Sequence, residues 1–417
     1  MKETSVRQSF DKKIFGTLFF SILAAITGVG IVVPLLPVYA HDLGASGLYI
    51  GLIFGSFSLS RTFFLPYFGR LSDRRGRKPL ITIGLLGYAL ISVAFIASYD
   101  VETLILLRFV QGIASAMIMP VTMAYVGDIT PPGREGYTMG LFNMSVFVGL
   151  SIGPLIGGIV HDHYSLHAAF ACMGLLALVG FVLSVLLLPP TRSETAASGD
   201  KTPCSWRQLL LDRNIAALFA FRFVYTACIG VIWGFLPVFC DAEFVLSSSA
   251  IGVLVMLGVF VSGLIHVPMG VLADRMNRKN MVVIGGLIVA FAVLSFEWAG
   301  GFWDLFAINV LFGIGGGISM PALMALAVLK GAGRNAMGAV MALLTLGHSL
   351  GMLVGSVAAG LTMDAFQLRQ AFMFGALLMV AGVAAFYGLY TAEGDDEKAP
   401  EVDKPRAFVA DKADGWP

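Results

Sequence analysis

Gly69-Arg-Leu-Ser-Asp-Arg-Arg-Gly-Arg-Lys78 and Gly270-Val-Leu-Ala-Asp-Arg-Met-Asn-Arg-Lys279 are two versions of one loop, 201 residues apart. Each sets a carboxylate among arginines directly after a long apolar segment. Matched pairs continue outward from the loops. Leu36-Pro37-Val38-Tyr39 answers to Leu236-Pro237-Val238-Phe239, Ile50-Gly51 to Ile251-Gly252, Gly112 to Gly313, Met119-Pro120 to Met320-Pro321 and Ala169-Phe170 to Ala371-Phe372, all at spacings of 200 to 202. Apolar composition does not supply matched prolines, glycines and charges, so the chain is read as two similar halves.

Composition says where those halves reside. The chain is 57% hydrophobic and 13% charged, with mean hydropathy +0.85, whereas about 25% charged is ordinary in soluble domains. Roughly 20 apolar helical residues cross a hydrocarbon core of about 30 Å. Twelve such runs are read at 14–39, 48–69, 79–98, 102–126, 137–160, 168–188, 214–239, 249–270, 280–299, 304–329, 336–360 and 370–391. The expected fold is an all-α polytopic membrane protein, with 12 transmembrane helices in two pseudo-symmetric six-helix bundles. Residues 1–188 form the first bundle, 189–213 a polar cytoplasmic linker opening on Pro189-Pro190, 214–391 the second bundle, and 392–417 a disordered cytoplasmic tail. Proteins built from paired membrane repeats commonly move something across the bilayer.

Of the 27 lysines and arginines, 23 lie in segments on the N-terminal side of the membrane and one, Arg369, on the other. The positive-inside rule then predicts cytoplasmic termini. The first apolar run exceeds a signal-peptide core and is read as a helix. The net charge of +1 carries no sign of a nucleic-acid partner, because topology accounts for the basic residues. Cys172, Cys204, Cys228 and Cys240 lack metal spacing and read as packing residues. The sequence has no Gly-Lys-Ser/Thr phosphate loop and no nucleophile constellation, so neither an enzyme nor direct ATP drive is expected. No metal or cofactor is expected beyond a proton as coupling ion.

The loop charges can form a salt-bridge network at a partly desolvated membrane mouth. Gly69 and Gly76 permit close helix approach and a tight turn, and Asp73 lies near a helix N-terminus that favours a carboxylate. Gly69, Leu71, Ser72, Asp73, Arg74, Gly76, Arg77 and Lys78 together resemble the signature loop of the major facilitator superfamily. The resemblance spans residues 14 to 391. It implies a gating latch made by Asp73, Arg77 and Asp128, with Arg74 beside it, that holds an outward-open state. Arg108, Gln111 and Gly112 resemble the family's helix 4 motif, whose arginine is linked to proton coupling. Pro34 to Tyr39 resembles the helix 1 pattern of the twelve-helix drug:proton antiporters. Gly149, Gly153, Pro154, Gly157 and Gly158 match their antiporter motif. Physically, glycines every fourth residue line one helix face for close contact, and Pro154 removes a backbone donor. Gly347, Gly351 and Gly355 partly repeat the pattern, with Met352 where the proline would be.

Ionisable groups inside a span are costly and suggest function. Arg61, Arg108 and Arg222 are such groups, and no aspartate or glutamate lies deep in a span to oppose them. The excess cation favours neutral or anionic amphiphiles. Coupling candidates are Arg108, Gln111, Glu102, His266 and His348, the histidines because they titrate near neutrality. Cavity candidates are Arg61, Arg222, Tyr225, Trp233, Asn143 and Asn309. The reading is a secondary transporter that exports small amphipathic molecules by proton antiport, a monomer in a bacterial inner membrane. The alternatives are an exporter or facilitator specific for one anionic metabolite or lipid, and a non-transporting receptor.

Overall fold

The structure is a computed structural model that describes residues 11–131, 134–190, 209, 211–273, 275–333 and 336–391. The second-loop Asp274, Arg334, Cys204, the tail after Thr391 and most of the linker 189–213 lie outside the described residues.

Polar residues at the membrane boundary start the helices. Asp11 accepts from the N–H groups of Lys13 and Ile14, Asp100 from Thr103, Ser165 from Ala168, Asp212 from Asn214 and Ile215, and Asn277 from Asn280. Each cap satisfies donors that an isolated helix end leaves orphaned. The backbone N–H and the hydroxyl of Thr103 hold the Asp100 carboxyl below the usual carboxylate range. The helices that follow are α1 (Lys12–Asp42), α2 (Gly47–Arg75), α3 (Arg77–Ile96), α4 (Val101–Asp128), α5 (Glu135–His163) and α6 (Leu166–Leu187). The second half supplies α7 (Arg213–Phe244), α8 (Ser248–Ala273), α9 (Arg278–Ser295), α10 (Phe302–Gly333), α11 (Met337–Ala365) and α12 (Leu368–Leu389). A 3₁₀ turn, Phe296–Trp298, extends α9. All twelve α-helices are long and apolar enough to cross a membrane. Several run a few residues beyond the apolar limits read from sequence, because their caps sit in the polar boundary rather than at the edge of the apolar run.

Packing repeats between the halves. α1 packs on α5 and α6, α2 on α4, and α3 on α4 and α6, while α7 packs on α11 and α12, α8 on α10, and α9 on α10 and α12. The two bundles meet through α2 with α11 and α5 with α8. Large apolar side chains such as Leu90, Leu186, Phe291 and Leu377 stand exposed around the outside, which lipid accommodates and water does not.

Short connections make successive helices antiparallel, so one face carries the Asp73 loop and both described chain ends. We call it the basic face. There Lys78 Nζ donates to the carbonyls of Val185 and Leu188, and Lys279 Nζ to that of Tyr390. In each half the loop lysine thus caps the C-terminal end of the last helix, where the dipole favours a cation.

Candidate functional site

On the face opposite the basic one, the halves are sealed by reciprocal contacts. α2 begins after Ser46, whose side chain makes no cap bond. Its cap comes from the other half, because the Asp364 carboxylate at the end of α11 accepts from the N–H groups of Gly47 (2.6 Å) and Leu48 (2.8 Å). The pseudo-symmetric partner repeats this, with Asp162 at the end of α5 accepting from Ser248 (3.0 Å) and Ser249 (2.8 Å) at the start of α8. Just below, a side chain added at Gly51 would strike the backbone of Ser356, and one at Gly252 the backbone of Pro154. Gly360 meets Gly47 in the same way, and Gly158 meets Ser248.

This seam assigns the glycine motif of α5 to two neighbours. A Cβ at Gly149 would lie 3.0 Å from Ile26, at Gly153 2.5 Å from the Thr27 carbonyl, and at Gly157 2.5 Å from the Ile31 carbonyl, so these three admit α1. Pro154 and Gly158 face α8. In the second half Gly351 and Gly355 admit α7 at Phe223 and Ala227. Their register corrects the sequence alignment. Gly351, Gly355 and Gly360 correspond to Gly149, Gly153 and Gly158, so the counterpart of Pro154 is Ser356, not Met352. A proline-centred match slid by one turn, because glycine recurs every four residues and hides the shift.

The same four helices diverge toward the basic face. Eighteen residues are five helical turns, about 27 Å, and return to the same side of a helix. At that distance from Gly51, Gly252, Gly158 and Ser356 lie Gly69, Gly270, Gly140 and Gly338, and a Cβ at any of them would meet no heavy atom of another described helix within 4 Å. Gly69 therefore makes no close helix approach in this conformation, contrary to the sequence expectation. Gly76 does serve the turn: it ends α2 with φ at 90°, a conformation that disfavours side chains.

At the mouth, Arg77 gathers the expected loop groups. Its Nε donates to Asp128 Oδ2 (3.1 Å), and Nη1 to Asp73 Oδ1 (2.5 Å) and Ser72 Oγ (2.6 Å). The arginine side chain is 16% exposed, while the carboxylates are 61% and 51% exposed. All these residues belong to the first half, so the cluster ties α2, α3 and α4 together. Arg74 is exposed beside it.

In the interior the candidates separate. Arg108 is buried, but its guanidinium turns onto α2: Nε donates to the Ile53 carbonyl, Nη1 to Gln111 Oε1 (2.7 Å), and the group lies over the rings of Phe54 and Phe57. Gln111 Nε2 reaches Met173 Sδ at 4.0 Å. Glu102 is exposed in the first turn of α4 and makes no bond to Arg108; the distance along the helix that suggested a pair ignores that the two side chains leave different sides. Asn143 is exposed on α5, and Asn309 is buried with its amide donating to Leu305 of its own helix. Tyr225 stacks on Phe312 (6.1 Å, 7° between planes) with its hydroxyl packed at Gly316, and Trp233 is half-buried against the core.

Arg222 does not snorkel toward lipid. Its Nη1 donates to Met320 Sδ (2.8 Å), Nη2 lies 3.3 Å from His348 Nδ1, and its enclosed Nε has no partner. Arg61 is half-buried with its Nε enclosed and unpartnered, and His266 leaves a buried Nδ1 unsatisfied beside the Phe147 ring. Among the described residues no His/Cys/Asp/Glu group has the arrangement of a metal site, and Cys172, Cys228 and Cys240 are unpaired.

Asp162 and Asp364 are not singled out by the sequence motifs: Asp364 reads as a carboxylate at an outer helix end and Asp162 as one in or beside an outer loop. Their signal was the repeat itself, since they stand 202 residues apart in register with the seam.

Comparison with known proteins agrees with this architecture. The sequence pattern of the Major Facilitator Superfamily matches residues 18–239 and 218–416. The chain belongs to that superfamily, and it is a transporter, not an enzyme; the family works without a cofactor. It is 28% identical over 382 residues to an uncharacterised MFS-type transporter of Methanocaldococcus jannaschii, covering 90% of this chain and 98% of the relative. It is 30% identical over 217 residues to the quinolone resistance protein NorA of Staphylococcus aureus, covering 51% of this chain and 55% of NorA, in keeping with the likeness to drug:proton antiporters read from sequence. Among solved structures, a bacterial homologue of the human lysosomal transporter Spinster, inward-facing and occupied, superimposes with TM-score 0.80 at 14% identity, over 94% of this chain and 99% of that one.

Proposed function

We propose that this transporter exports small amphipathic molecules, drugs among them, by proton antiport with alternating access. The observation that carries the reading is the seam, closed by Asp162 and Asp364 on one face and parted at Gly69, Gly140, Gly270 and Gly338 on the other. Two six-helix bodies, 1–188 and 214–391 with a linker between, rock about that contact as a monomer. The lysine and arginine bias of 23 to one supports cytoplasmic termini in a bacterial inner membrane, which makes this conformation inward-open. The antiporter motif in α5, with Gly149, Gly153 and Gly157 on α1 and Pro154 and Gly158 on α8, supports exchange, as does the partial likeness to NorA. In this reading Asp73, Arg77 and Asp128 brace the first half, and because the cluster is intact with the basic face open it does not by itself hold the outward-open state that the resemblance implied. His348, bonded to Arg222, and His266 are the coupling groups; Arg108 and Gln111 brace α4, and Glu102, exposed at the start of that helix, takes no part.

The test is flux in proteoliposomes with a pH-sensitive dye inside. A quinolone should be exchanged for protons; His348→Gln or His266→Gln should remove the exchange, and His266→Gln should do so while leaving binding. Flux without proton movement supports the facilitator alternative instead, and binding without flux the receptor.

A further inference from the structure

Among the described residues, the acidic side chains all stand at helix ends, while the middle of the molecule holds Arg61, Arg222, His266 and His348. The positive charges there are not matched from within. Arg108 shows what a satisfied membrane arginine looks like here, with a carbonyl, an amide and two rings around its guanidinium. Arg61 makes no hydrogen bond or ion pair to a described residue, and its Nε is enclosed. Arg222 is held by a thioether and an imidazole, both weak partners for a guanidinium, and its Nε is likewise enclosed and unpartnered. A guanidinium stays protonated in proteins, and a buried polar group left unpaired is costly.

The two arginines come from different halves and lie at one depth. Gly55 of α2 meets Leu353 of α11 across the seam. From that level toward the basic face, Arg61 is six residues along α2, about 9 Å, and His348 five residues back along α11, about 7.5 Å, so they share one depth. Arg222 bonds His348 there. Met320 sits on Arg222, and the stacked Phe219 and Phe223 lie on the same helix.

We propose that Arg61 and Arg222 form a two-sided clamp for the acidic head group of an amphiphilic anion, a carboxylate, sulfonate or phosphate, and that the cargo itself supplies the negative charge this interior lacks. The proposal rests on the transporter reading and narrows its substrate class. An anion bridging the two arginines joins the halves at mid-membrane, and guanidinium forks suit oxyanions geometrically. His348 then acts as a positioning residue that holds the Arg222 fork toward the cavity.

The test uses the full chain in nanodiscs and three probes with one fluorophore: 11-(dansylamino)undecanoate, its methyl ester, and dansylcadaverine as cation. The acid should bind at least about tenfold more tightly than the ester, the factor expected when one charge-assisted hydrogen-bonded pair is added, and the amine more weakly than either. Arg61→Gln and Arg222→Gln should each erase the preference for the acid while leaving ester binding unchanged. Arg61→Lys and Arg222→Lys should restore part of it. Decanoate should displace the acid probe far better than equal inorganic phosphate; equal displacement overturns the amphiphile and leaves a free small anion. Equal binding of acid and ester by the unaltered protein overturns the clamp without any variant having to fold, and leaves the exporter reading standing. Preference that survives in the Arg61→Gln/Arg222→Gln double variant overturns it too. If no probe binds and no amphipathic compound is moved in proteoliposomes, the exporter reading fails and takes the clamp with it.

Discussion

Arg77 and Gly153 illustrate two kinds of single-residue importance. Arg77 reaches three oxygens at once because its planar fork spreads its donors, which a lysine ammonium at one point does not. Arg77→Lys is therefore expected to keep the fold, since carboxylates this exposed contribute only about 0–1 kcal/mol through such pairs, yet to lower transport severalfold. The check is melting temperature in detergent beside flux in vesicles. Gly153 is a packing requirement. A methyl group there would sit 2.5 Å from the Thr27 carbonyl, so Gly153→Ala should cost about 1–3 kcal/mol by overpacking, seen as a lower melting temperature. Gly140→Ala, five turns away in open space, should change stability by less than about 0.5 kcal/mol. From sequence the two glycines are indistinguishable in type. What separates them is which neighbour stands opposite, and a single chain does not record that. Arg108 makes the same point: its depth in α4 was legible, but its turn onto Ile53 and Gln111 depends on where α2 lies.

At the scale of helices, legibility was high for existence and low for ends. Hydropathy alone located all twelve, because a span must satisfy its backbone internally and be apolar for its whole crossing. Ends were extended by caps such as Asp100 and Asp212, which hydropathy treats as loop. The caps lent by Asp162 and Asp364 are a different matter, since each stabilises a helix of the other half. Opening the sealed face must give up both. Asp162→Ala and Asp364→Ala should each shift the equilibrium toward that opening by about 1 kcal/mol, the usual value of a carboxylate at a helix N-terminus. Energy transfer between labels at Ala45 and Leu246, near the seam, would report the shift; an unchanged distance distribution in the double variant would count against the gate.

For the whole molecule, the repeat at 200 to 202 residues was the strongest sequence signal, and the pairing of helices follows it in both halves. The conformation was not legible, because a transporter sequence has to support both openings. The empty glycines give the other state its expected contacts. When the basic face closes, Gly69 should approach Gly338, in the manner of Gly51 with Ser356. A Gly69→Cys/Gly338→Cys variant should cross-link under mild oxidation only when that face closes, and the cross-linked protein should lose flux until reduced. The described native cysteines are two buried and one half-buried, so they interfere little.

The lent caps also bear on how the chain is made. Asp364 completes the start of α2 from 317 residues downstream, so a ribosome must release nearly the whole polypeptide before that helix end has its partner. Until then α2 waits in the membrane with its first amide donors turned to water or lipid headgroups. The first bundle is in this sense born incomplete, and its final helix boundary is written at the other end of the message.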